Sequence, residues 1–183
     1  MTKHLGQVLI LVVIVLVLAL FQYSFISALP SPWRQFNLLL SSLVFFLFFL
    51  DFNISLLTAF ISGFFLDLLS FNFFGFYLIL FFATLLLIQW VLKNWLTNRS
   101  LYTFLALMLI AIIFYNLLSA LLLYLFSADY NIIFLGQASF WLTMLYQGMW
   151  SLFFALILFN LAAAVSKRIK PFFLESKSFY DRF

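Results

Sequence analysis

The sequence predicts an all-α polytopic membrane protein: one bundle of six transmembrane helices with both termini in the cytoplasm. Three observations predict it. Six apolar blocks alternate with short polar breaks along the 183 residues. Of those residues 68% are hydrophobic and 8% charged, where ordinary globular domains carry roughly 25% charged residues. A soluble fold of this size has no interior large enough to hide so much apolar surface, whereas lipid solvates it. The third observation is where the charges fall. Lys3, Lys93, Arg99, Lys167, Arg168, Lys170, Lys177 and Arg182 sit in alternate ends and breaks, and Arg34 alone sits in the others. By the positive-inside rule this threads the N-terminus inside and requires an even number of crossings.

A spanning helix needs about 20 apolar residues. The first block covers residues 5–28. It is longer than the apolar core of a signal peptide, about 7–15 residues, and reads as a retained helix. Pro30 and Pro32 end it, because proline removes an amide donor and restricts its predecessor. The second block, 36–50, is short. The tight break at Asp51, Phe52 and Asn53 makes it an antiparallel hairpin with the third block, 54–70. After a brief break the fourth covers 74–92. The polar stretch 93–100 follows, then the fifth block, 101–126. A break at 127–137 holds Asp129, Asn131 and Gly136, and the sixth block is 138–165. A basic tail, 166–183, closes the chain. Trp33, Trp90, Trp95 and Trp141 fall at the ends of these blocks, where amphipathic rings favour headgroup depth. The partners this organisation implies are membrane lipids and other membrane helices, with self-association left open. Nucleic acid is not among them, since no soluble basic domain exists to hold it.

Polar residues inside the blocks are the candidate sites. Helices in lipid associate through close backbone approach and polar contacts, because the hydrophobic effect does not drive them together there. Ser55, Ala59, Gly63 and Asp67 recur every four residues and form one stripe on block three. Thr58 and Ser62 widen it. This small-residue face is expected to pack against another helix of the chain, or else to receive a helix of a partner. Asp67 is the one acid well inside a block. It is expected to face water, a hydroxyl such as that of Tyr77, or Arg34, in a structural role; a proton or cation relay is the alternative, and would need more ionisable groups along a path. Gln22, Gln89, Asn116, Gln147 and Asn160 are expected to hydrogen-bond between helices. Gln147, Gly148 and Trp150, with Tyr146, form a second cluster, in which Gly148 permits close approach.

Catalytic constellations are not found. The single histidine, His4, stands at the N-terminus, so the paired-histidine metalloprotease motif cannot form. The five acids are scattered and there is no cysteine. No phosphate-binding glycine loop occurs, no metal set or cofactor motif is expected, and the expected activity is non-enzymatic.

The run Gly63-Phe64-Phe65-Leu66-Asp67-Leu68-Leu69-Ser70, followed by Gly75 and Tyr77, resembles the rod shape-determining protein MreD family. That family carries a glycine, a short apolar run, Asp-Leu-Leu or similar, a turn and a second glycine. The approach to the second block from Pro32 to Leu40, the Gln147-Gly148-Met149-Trp150 segment and the basic Lys167-Arg168 pair are also similar to it. In place of the family's polar turn this chain has Phe71-Asn72-Phe73-Phe74. The resemblance implies a scaffold of the bacterial cell-elongation machinery in the cytoplasmic membrane. Such a scaffold binds MreC and, through it, connects MreB filaments to the synthases of side-wall peptidoglycan. The docking faces would be the small-residue stripe of block three or the Gly148 face of block six. A rival reading is the substrate-binding subunit of an energy-coupling-factor vitamin transporter, also a six-span bundle, with Asp67, Tyr77 and Tyr130 as pocket residues. Block one lacks the small-residue docking pattern of those subunits.

Overall fold

The computed structural model describes residues 2–70, 72–96, 100–126 and 138–168. Among them every regular element is helical: α1 (Thr2–Phe21), α2 (Leu38–Phe49), α3 (Phe52–Leu69), α4 (Phe76–Asn94), α5 (Leu101–Phe126) and α6 (Ala138–Arg168). A π-helical turn at Gln22–Ile26 extends α1, and a 3-10 turn at Trp33–Gln35 lies in the linker before α2. Among the described residues four helices, α3 to α6, are long and apolar enough to cross a membrane.

α2 organises the bundle. It packs on α1, α3, α4, α5 and α6, and those helices contact one another in the order α1–α3–α4–α5–α6 around it. The residues from Leu38 to Val44 are all buried, as are Leu47 and Phe48. That explains its composition: a helix enclosed on all sides is apolar all round and carries no amphipathic stripe. Its 12 residues rise only about 18 Å, well short of the roughly 30 Å hydrocarbon core. The expected second span is therefore a central pillar, two residues shorter at its start and one at its end than 36–50.

The outer helices show the pattern that lipid contact demands. Leu109, Ile113, Leu117, Leu121 and Leu125 run along one side of α5, and Leu145, Met149, Phe153, Ile157 and Leu161 along one side of α6, all exposed. Phe60, Phe64 and Leu68 do the same on α3, opposite its small residues. Trp33, Trp90, Trp95 and Trp141 are each about half exposed or more, as their predicted place at the block ends requires. Part of the phenylalanine content is internal: Phe48 and Phe49 of α2 meet Phe104 of α5 at ring-centroid distances of 5.1 and 5.7 Å, and Phe49 lies 5.8 Å from Phe159 of α6. This cluster ties three helices together at one end.

α6 extends three residues past its expected end and α3 starts two before its own. The 127–137 break, with Asp129, Tyr130, Asn131 and Gly136, and most of the basic tail lie outside the described residues.

Candidate functional site

The stripe on α3 is internal. Ser55, Thr58, Ala59 and Ser62 are fully buried and Asp67 is 5% exposed. The helix packs on α4, α1 and α2. The hydroxyls of this stripe do not bond across helices. Ser55 donates to the Asp51 carbonyl, Thr58 to Ile54 and Ser62 to Thr58, each within α3. They serve by being small, with their polarity returned to their own backbone. Of the two docking faces expected from sequence, the α3 face is thus already occupied by the chain's own helices.

Gly63 shows how close that packing is. A Cβ on it would stand 3.0 Å from Leu78 N and 2.6 Å from Leu78 Cα, the latter inside any permissible contact. The absence of a side chain lets the first turn of α4 lie directly on α3. One turn further on, Asp67 meets the same turn. Its Oδ1 accepts from the Tyr77 amide at 2.8 Å, and its Oδ2 from the Gly75 and Leu78 amides at 3.1 and 3.2 Å. The Phe76 amide donates to the Phe73 carbonyl at 3.2 Å. The first amides of a helix have no partner inside it, and here each is satisfied. A carboxylate is suited to this place, because the amides and the helix dipole both favour negative charge there.

Gly75 completes the joint. It is the N-cap residue of α4 at φ 96°, in the left-handed region, which glycine adopts without steric penalty. That geometry turns its amide back toward Asp67. Tyr77 contributes its backbone amide to Asp67, while its hydroxyl accepts from Asn72 Nδ2 at 3.4 Å. The expectation that Asp67 faces water, the Tyr77 hydroxyl or Arg34 is corrected: it is buried and caps the next helix. The reason is geometric, since a carboxylate four residues after Gly63 shares its face, and that face is where α4 begins.

Gln147, Gly148 and Trp150 lie apart from this joint, on α6, and do not act as one cluster. Gln147 is buried and its Oε1 accepts from Asn116 Nδ2 at 2.9 Å, linking α6 to α5 as expected. Trp150 lies against Trp33 of the linker, with ring centroids 3.6 Å apart and the planes tilted by 30°. Tyr146 and Met149 are exposed. Gly148 is buried, yet nothing lies within 4 Å of where its Cβ would be. The close approach expected there does not occur.

A second capped helix start is not evident from the apolar blocks. Gln22, at the end of α1, reaches the start of α2. Its Oε1 accepts from the Leu38 and Leu39 amides at 2.6 and 3.3 Å, and its Nε2 donates to the Phe36 carbonyl at 3.2 Å. Asn37, the N-cap residue, accepts from the Leu40 amide at 3.0 Å. The signal that could have revealed it is Asn37 itself, a preferred N-cap residue just before an apolar run. Of the remaining polar residues, Asn160 is exposed and Gln89 half-buried.

Chemically, the Asp67 joint holds structure. Among the described residues no group of three or more histidine, cysteine or acidic side chains is placed to hold a metal. No family model matches the chain, and no curated protein or solved structure matches it either.

Proposed function

We propose that the chain is a non-enzymatic scaffold of the MreD type: six crossings of the bacterial cytoplasmic membrane, the second made by α2 together with its linker, both termini inside, binding MreC and linking MreB to side-wall peptidoglycan synthesis. One observation carries the reading. Gly63, Asp67 and Gly75, the residues on which the resemblance rests, act together as a single helix–helix joint. With the α3 face filled, the docking surface for MreC's single helix is the exposed side of α6. α6 is the least enclosed of the four long helices, 22% buried against 39% for α3 and α4. Its Leu145, Met149 and Phe153 project at four-residue spacing, a ridge that can seat in the groove of a second helix.

The vitamin-transporter reading loses support, because both Asp67 oxygens are engaged by amides. The test is co-purification with MreC from cells that depend on this chain for shape. Replacing Leu145, Met149 and Phe153 together with Ala should leave the protein's level unchanged, weaken MreC capture at least about tenfold, the equivalent of about 1.4 kcal/mol, and give rounded cells. Unchanged capture would discard the α6 face. Failure of the unaltered chain to capture MreC would discard the scaffold reading itself.

A further inference from the structure

At the end of the bundle opposite Gly75, the turn between α2 and α3 and the last turn of α4 border an open cleft of about 320 Å³, at the lower end of the range of small-ligand sites. Leu47, Phe52 and Leu92 supply apolar wall; Asp51, Gln89 and Lys93 supply the polar groups. Asp51 is the N-cap residue of α3, but its side chain caps none of that helix's amides. Among the described residues Asp51 and Lys93 form no ion pair, although they line one cleft. Two opposite charges in one pocket, each uncommitted, match a ligand that carries both signs. Trp90 and Trp95, at the same end of α4, are exposed with their rings 5.9 Å apart, and exposed tryptophans mark headgroup depth.

We propose that this cleft binds a phosphoethanolamine headgroup, that of a phosphatidylethanolamine lipid. The primary ammonium donates to the Asp51 carboxylate and the Gln89 amide oxygen. Lys93 donates to the phosphate, and the start of an acyl chain follows Leu47 and Leu92 into the bilayer. A phosphocholine headgroup has no N–H to offer Asp51, and a phosphatidylglycerol headgroup has no cation, so both bind less well.

Native mass spectrometry of the full chain in detergent, with the three lipids at matched acyl composition, tests this. Phosphatidylethanolamine should be retained about tenfold over phosphatidylcholine, and Asp51→Asn and Lys93→Gln should each reduce its retention about tenfold, the loss expected for one hydrogen bond to a charged group. Soluble phosphoethanolamine separates the sources: displacement of the lipid places recognition in the headgroup, and variant-sensitive retention without displacement makes the intact lipid the ligand. Equal retention of all three lipids, or full retention of phosphatidylethanolamine by the double variant, overturns the proposal. Asp51 and Lys93 are both exposed, and Lys93→Gln alone decides the matter if Asp51→Asn does not accumulate.

Discussion

Two helices begin at the same end of this bundle, and each has its first amides capped by a side chain from the helix before it. At α4 the cap is the Asp67 carboxylate, with three amides on two oxygens. At α2 it is the neutral Gln22 amide group, which takes two amides on one oxygen and returns a donor to the Phe36 carbonyl. The start of α4 is also sealed sterically, by Gly63 against the Leu78 backbone. The start of α2 has a local cap as well, in Asn37. The difference teaches that one problem, unsatisfied donors in a water-poor setting, has a rigid solution and an adaptable one. The rigid one uses charge and contact without a side chain. The adaptable one shares the task between a local and a distant amide.

The contrast between these helix starts can be broken most forcefully at Asp67. Asp67→Ala strands three donors, each costing about 1–3 kcal/mol when buried. The variant should lose about 3 kcal/mol or more against unfolding in mild detergent, followed by circular dichroism. Asp67→Asn keeps one acceptor oxygen and should fall between. Gly63→Ala forces Leu78 away and should cost about 1–3 kcal/mol, as overpacking does. Since the Cβ meets backbone, flexible neighbours cannot absorb it, and a neutral result would show that α4 does not lie on α3 as described. Gln22→Leu should cost less than Asp67→Ala, about 1–2 kcal/mol, because Asn37 still holds the Leu40 amide. Combined with Asp67→Ala it should be additive within about 0.5 kcal/mol; strong coupling would make both helix starts one unit. Gly148→Ala should be neutral or stabilising by up to about 1 kcal/mol, the helix-propensity gain, because nothing occupies the space the methyl would fill. The two interior glycines thus respond with opposite sign.

Much of this was legible in the chain. Hydropathy gave six helices with modest errors at their ends, because the apolar runs are bounded by Pro30, Asp51, Asn72 and Asn94. Four-residue spacing placed Ser55, Ala59, Gly63 and Asp67 on one buried face, because a helix makes that a geometric certainty. What the spacing could not supply was the partner. Asp67 could be put on a face but not matched to amides ten residues on, since that depends on Gly75 adopting a positive φ and on where α4 lands. Gln22 was visible only as a polar residue near a helix end. Gly148 misled because glycine in a helix signals absent bulk, and absent bulk is equally consistent with a gap. The cleft around Asp51 and Lys93 joins residues 42 positions apart in sequence and has no local signature at all.

The brevity of α2 reaches beyond packing. A helix too short to reach both faces of a bilayer leaves a polar end within the height of its longer neighbours, and the chain must bring its own partners there; Gln22 and Asn37 do so at the start of α2.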